Sequence, residues 1–157
     1  MSLIIGPTQW WQDSLIAQCP VGTALLDGSR IICKAGGTAW IVAPSCTQVV
    51  SAWAGGQYNS TAVGDKCCIC EWSGLETQLI NCGFNPCDWF VPSFTQLQNP
   101  GDVCKDNWDS YGGPYWSSTE FNLDTACRCY LSGSCAFNCS NNKVCGFTVR
   151  VMRCVTY

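Results

Sequence analysis

The 157-residue chain contains no histidine. That removes the commonest general base, the usual partner of a nucleophilic serine or cysteine, and the imidazole half of mixed zinc sites. Charge is also scarce. Asp, Glu, Lys and Arg make up 12% of the sequence, about half the usual share of roughly 25%. The 8 basic residues are outnumbered by 11 acidic ones, so the cationic footprint of a nucleic-acid binder is missing. No apolar run approaches the roughly 18 residues needed to cross a bilayer, and Met1 to Pro7 lacks the basic stretch and apolar core of a secretory leader. The expectation is a chain with no nucleic-acid partner, no membrane span and no cofactor.

Apolar residues (47%), eight tryptophans and fifteen cysteines are abundant instead. The apolar content suffices for one core, and the length fits one domain. Cys67-Cys68-Ile69-Cys70 and Cys127-Arg128-Cys129 do not have the CxxC spacing of zinc knuckles, so no metal site is expected. Disulfides are the preferred reading. The candidates are Cys19, Cys33, Cys46, Cys67, Cys68, Cys70, Cys82, Cys87, Cys104, Cys127, Cys129, Cys135, Cys139, Cys145 and Cys154. Their odd number leaves at least one unpaired in a monomer. Cys127 and Cys129, two apart, would face the same way on a strand, a placement suited to cross-strand bridging. Disulfides without a leader are reconciled by a protein made in a host cytoplasm and released in a virus particle, because virion surfaces tolerate them.

Residues 1–20 read as an arm, with Leu3, Ile4, Ile5, Trp10 and Trp11 as its association residues. A domain at 21–157 follows. Ala24-Leu25-Leu26, Asp27-Gly28-Ser29 and Ile31-Ile32-Cys33 spell a hairpin, and Trp40 to Ala43 a buried strand. Ser45 is expected to cap a short helix bearing Val49, Val50 and Trp53, and a second helix is expected within 66–80, weakened by Gly74. Ser93-Phe94-Thr95-Gln96 fits a capping box. The stretch from Asn99 to Pro114 reads as loop and Tyr115 to Glu120 as a strand. One final strand is expected to show Phe147, Val149, Val151 and Val155 on one face and Thr148, Arg150, Met152 and Cys154 on the other.

Four segments in order resemble a known family: Trp40-Ile41-Val42-Ala43-Pro44-Ser45 with Trp53; Asp88-Trp89-Phe90-Val91-Pro92-Ser93 through Leu97; Tyr115-Trp116-Ser117-Ser118-Thr119-Glu120; and Val149-Arg150-Val151-Met152-Arg153-Cys154-Val155. They resemble the lectin-like domain of phage proteins and of the C-terminus of collagen-like bacterial adhesins, in the formylglycine-generating-enzyme-like branch of the C-type-lectin fold. The resemblance implies an α+β, C-type-lectin-like fold with two short helices on small twisted antiparallel sheets and long loops. It also implies a core role for Trp116 and a fold role for Arg150 and Arg153, with Asp88 or Glu120 as partners. The cysteine content and the arm depart from the family. So does the lack of a stalk, which fits a subunit docking on a larger assembly.

No catalytic residue is expected. Asp102, Asp106 and Asp109, with Asn107, lie in one polar stretch but lack the order of an EF-hand loop, and read as solvated. The Glu-Pro-Asn or Gln-Pro-Asp tripeptide of calcium-dependent lectins is missing. Ser117 and Ser118 have no adjacent base, and the sequons at Asn59 and Asn138 read as chance. The first functional expectation is a non-enzymatic viral (phage) structural protein on the virion surface, a capsid-decoration or cement subunit or small tail component. Its partners would be a capsid or tail protein and itself. The alternative is an extracellular receptor- or glycan-binding adhesin module. Its ligand-facing loop residues would be Phe121, Asn122, Tyr130, Phe137, Asn138, Asn141, Asn142 and Lys143, contacting a host-surface glycan or protein.

Overall fold

A computed structural model describes residues 15–55, 64–72, 74–133, 135 and 138–157. Leu3, Ile4, Ile5, Trp10, Trp11 and Phe137 lie outside the described residues, as does the sequon at Asn59. Among the described residues the fold is α+β, with two sheets and two α-helices. Strands β1 (Arg30–Ala35), β2 (Thr38–Val42) and β8 (Met152–Thr156) form a three-stranded antiparallel sheet. Strands β3 (Val49–Ser51), β4 (Pro114–Glu120), β5 (Thr125–Tyr130), β6 (Asn141–Asn142) and β7 (Phe147–Val149) form the second sheet, in the order β3-β7-β4-β5-β6. This sheet is mixed, because β4 pairs with β7 in parallel at Tyr115 and Thr148.

The expected hairpin into β1 is present. Ala24 bridges Arg30, and the Asp27 carboxylate accepts from the Ser29 N–H at 2.9 Å. Gly28 there holds φ +89°, a conformation that favours glycine. The expected helix after Ser45 is absent. One 3-10 turn, Ser45–Thr47, leads directly into β3. Two physical causes combine: Thr47 Oγ1 donates back to the Pro44 carbonyl at 2.7 Å, and the β-branched pair Val49-Val50 favours extended backbone.

Within 66–80 the chain forms a 3-10 turn, Ile69–Glu71, and then helix α1, Leu75–Asn81, separated by Gly74 at φ +76°. Leu75 and Leu79 of α1 share one face and are fully buried. Helix α2, Phe94–Gln96, opens on the expected capping box: the Ser93 hydroxyl accepts from the Gln96 N–H, and the Gln96 side chain accepts from the Ser93 N–H. Short helical turns follow at Leu97–Asp102 and Lys105–Asn107, inside the stretch read as loop.

The single final strand of the sequence reading is two. The chain leaves the second sheet after Val149 and joins the first at Met152. At the crossing, Arg150 Nε donates to the Ala43 carbonyl at 2.9 Å, and the Ala43 N–H donates to the Val151 carbonyl at 3.1 Å. Two apolar clusters result. The larger joins Ile41, Trp53, Trp72, Trp116, Val149 and Val151, and the smaller holds Ile32, Phe94, Leu97, Tyr115 and Met152.

The packed body starts upstream of the boundary expected at residue 21. Ile16 and Cys19 are buried in the larger cluster, and Lys34 Nζ donates to the carbonyls of Ile16, Ala17 and Cys19.

Candidate loop-face site

The β4–β5 connection carries the exposed Phe121 and Leu123. Its shape is local chemistry. Asn122 Oδ1 accepts from the N–H groups of Asp124 (2.9 Å) and Thr125 (2.8 Å), and the Thr125 carbonyl receives the N–H groups of Phe121 and Asn122. Asn122 therefore builds the turn with its side-chain carbonyl.

Strand β5 then alternates. Cys127 and Cys129 point inward on one face, as expected, but neither bridges a neighbouring strand. Cys127 bonds to Cys139 and Cys129 to Cys135, both in the connection that follows β5. This returning segment is held further by Asp102. Its carboxylate, 4% exposed, accepts from the N–H groups of Gly133 and Cys135, each at 2.9 Å. The acidic stretch is thus solvated only in part: Asp106 is exposed as expected, whereas Asp102 clamps the disulfide loop and Asp109 serves the arginine at the sheet crossing. Ordering backbone donors around a buried carboxylate avoids the cost of an unpaired charge.

Phe121, Asn138, Cys139 and Ser140 line an open hollow of about 330 Å³. Asn141 supports it from beneath, its Nδ2 donating to the Asn138 carbonyl and Asn138 Oδ1, both at 2.9 Å. Of the expected ligand-facing residues, the structure brings Phe121 and Asn138 together at this hollow. The side chains of Asn122 and Asn142 instead shape turns, Asn142 Oδ1 at the end of β6 accepting from the Val144 N–H at 3.0 Å. Tyr130 is exposed but pairs with Pro114 at the other end of β5, roughly 17 Å along the strand from Thr125 at the usual rise per residue.

Lys143 is a correction. It is 1% exposed, with Nζ 3.2 Å from Glu120 Oε1, 2.9 Å from the Leu123 carbonyl oxygen and 4.7 Å from the centre of the Trp53 ring. Its ammonium fixes the loop from within and offers nothing to a ligand. Glu120 is therefore matched with Lys143, where the resemblance implied Asp88 or Glu120 as partners of Arg150 and Arg153. Arg150 pairs with Asp109, donates to the Ser110 carbonyl and lies over the Trp108 ring. Burial works to raise the Asp109 pKa, but the Ser45 N–H and the Arg150 guanidinium outweigh it and hold the carboxyl below its ordinary value. Arg153 lies over the Trp89 ring.

Trp116 is fully buried, its Nε1 donating to the Ser51 carbonyl at 2.9 Å. Ser117 and Ser118 are buried, and the Ser117 hydroxyl donates to the Cys127 carbonyl at 2.7 Å. A second hollow, of about 240 Å³, is lined by Cys67, Cys68, Cys70 and Cys87 with Glu76, Trp89 and Phe90 among its walls. Among the described residues no three or more Cys, Asp or Glu side chains are arranged to hold a metal ion, and no helix is long and apolar enough to cross a membrane. Where thiol acidity departs from the ordinary, it moves upward. A hydrogen bond to Cys68 leads the effect at Cys70, and burial leads it at Cys46, Cys104 and Cys154. An activated cysteine nucleophile needs the opposite shift.

No protein-family model matches the chain, and no curated protein matches it.

Sequence reasoning missed Asp102 as a clamp and Lys143 as a buried cation. The only available signal for Lys143 was its place next to two asparagines with turn-forming tendency, which gives no hint of Trp53 some ninety positions upstream.

Proposed function

We propose that the chain is a non-enzymatic structural protein of a virus particle with a C-type-lectin-like fold, serving as a capsid-decoration subunit or small tail component on the virion surface. Its partners are a capsid or tail protein and further copies of itself. The observation that carries this reading is the treatment of the β5 return segment, where two cross-links and the Asp102 clamp fix one loop behind an exposed face. Cross-links act chiefly by restricting the unfolded chain, which suits a surface that must persist outside a cell. The low charge leaves that surface neutral and polar.

A second reading has its own support. Phe121 beside the Asn138 amide and Ser140 hydroxyl offers the mixture of ring face and hydrogen-bonding groups that binds a sugar or a receptor loop. The two readings place the working surface differently and are compatible on one particle.

Two variants separate them. Removing residues 1–14 should abolish co-sedimentation with particles and leave binding to host-surface glycans or cells intact. Combining Phe121→Ala with Asn138→Ala should do the reverse. If neither variant changes particle attachment, the structural reading is wrong.

A further inference from the structure

Two more pairs of thiols meet across long stretches of sequence. Cys33 lies on β1, and Cys104 immediately precedes the turn Lys105–Asn107, which is fastened to β1 by Asn107 Nδ2 donating to the Ile32 carbonyl at 3.1 Å. Both cysteines border the smaller apolar cluster, and burial and the nearby Cys33 together raise the Cys104 thiol pKa. Cys46 lies in the turn between β2 and β3, and Cys82 follows the last residue of α1. There Cys82 Sγ is 3.1 Å from the Cys46 carbonyl oxygen. Gln78 Nε2 ties this junction together, donating to the same carbonyl at 2.5 Å and reaching Cys82 Sγ at 3.7 Å. Burial and the adjoining Cys82 together raise the Cys46 thiol pKa.

We infer that Cys33–Cys104 and Cys46–Cys82 are two further cross-linking sites, closed when the folded protein meets an oxidising disulfide pool. The inference is independent of which functional reading holds. Each pair lies where two chain segments already dock through hydrogen bonds other than those of the thiols. One thiolate attacks an oxidised low-molecular-weight disulfide such as glutathione disulfide, releasing one small thiol. The partner thiol then loses its proton and displaces the second small thiol, so two protein thiols lose two protons and two electrons while one small disulfide becomes two thiols.

The consequence is distributed differently from that of the two bridges near the loop face. Those close short loops within one sheet. Cys33–Cys104 would join the three-stranded sheet to the segment carrying Asp102, and Cys46–Cys82 would join the link between the sheets to α1. Cys68 and Cys70 also adjoin one another at the second hollow, but only Ile69 separates them, so bridging them would constrain almost no chain. Burial and the adjoining Cys33 push the Cys104 thiol up to about 11, so attack by Cys104 quickens as pH rises.

The test uses the full chain, equilibrated at pH 8 in reduced and oxidised glutathione over a graded ratio, alkylated, digested without reductant and mapped by mass spectrometry. Cross-linked peptides joining Cys33 to Cys104 and Cys46 to Cys82 are expected, together with those joining Cys127 to Cys139 and Cys129 to Cys135. In Cys33→Ser, maleimide labelling of Cys104 should rise by about tenfold or more as its thiol is left without a partner, with the Cys46–Cys82 peptide unchanged. Persistent labelling of Cys104 and Cys82 at a ratio that fully oxidises Cys127 and Cys129 would overturn the inference. So would recovery of either residue linked to a different cysteine. The map of the unsubstituted protein decides the matter even if a serine variant fails to fold.

Discussion

The crossing between the two sheets and the loop face beyond β5 solve the same problem by different means. At the crossing, Arg150 is 1% exposed and is held by Asp109, two backbone carbonyls and the Trp108 ring. At the loop face, covalent bonds at Cys127 and Cys129 take over, assisted by one buried carboxylate. The crossing is deep and gathers segments far apart in sequence, so a charge there can be surrounded by fixed donors and acceptors. The loop face carries the exposed Phe121 and Leu123, and an ion pair at their level would be screened and weak, so Lys143 and Glu120 pair beneath it. The bridging Cys127, Cys129 and Cys139 are themselves buried beneath that face, and hold its geometry without any charge.

The comparison is broken most severely at the crossing. Arg150→Ala leaves Asp109 and the carbonyls of Ala43 and Ser110 without their cation, and should destabilise the protein by about 3–5 kcal/mol. Urea denaturation measures the loss, while a non-reducing peptide map should still show both loop-face bridges. Breaking the other side should cost less. Cys127→Ala with Cys139→Ala, closing separation 12 in the parent, is expected to lose about 2–4 kcal/mol and to leave the Arg150 network intact.

Acid sharpens the contrast. The Asp109 carboxyl is held below its unfolded value, so the folded state binds fewer protons than the unfolded one between the two values. The Asp109 contribution is therefore present above about pH 4 and is lost as pH falls through the lower folded pKa. Acid titration of stability should show this loss in the parent and a flattened profile in Arg150→Met, whereas the disulfide contribution should not titrate. Smallest is Phe121→Ala. Its ring is 56% exposed, so stability should change by no more than about 0.5 kcal/mol, while binding of a partner at the hollow should fall.

Much of the local structure was legible in the sequence because local chemistry decides it. Asp27-Gly28-Ser29, the Ser93–Gln96 capping box and the shared inward face of Cys127 and Cys129 each depend on residues a few positions apart. The Val49-Val50 helix failed where periodicity and β-branching pointed in opposite directions, and strand pairing with β7 prevailed. Lys143 was misplaced, and Arg150 given other partners, for another reason. Their partners Asp109, Trp53 and Glu120 are distant in sequence, and an aliphatic stem packed on aromatic rings leaves no periodic trace. Half of the candidate site was visible for the same reason: Phe121 and Asn138 meet, but which asparagines the turns would occupy depended on strand register.

The central claim is that the cross-linked loop belongs to a particle-bound structural subunit. Its most direct test is to isolate the protein from its natural source without reductant, sediment it with particles, and alkylate before intact-mass measurement. The account predicts recovery with capsid or tail proteins and protection of Cys127, Cys129, Cys135 and Cys139. A free monomer in which those four thiols all alkylate would contradict it.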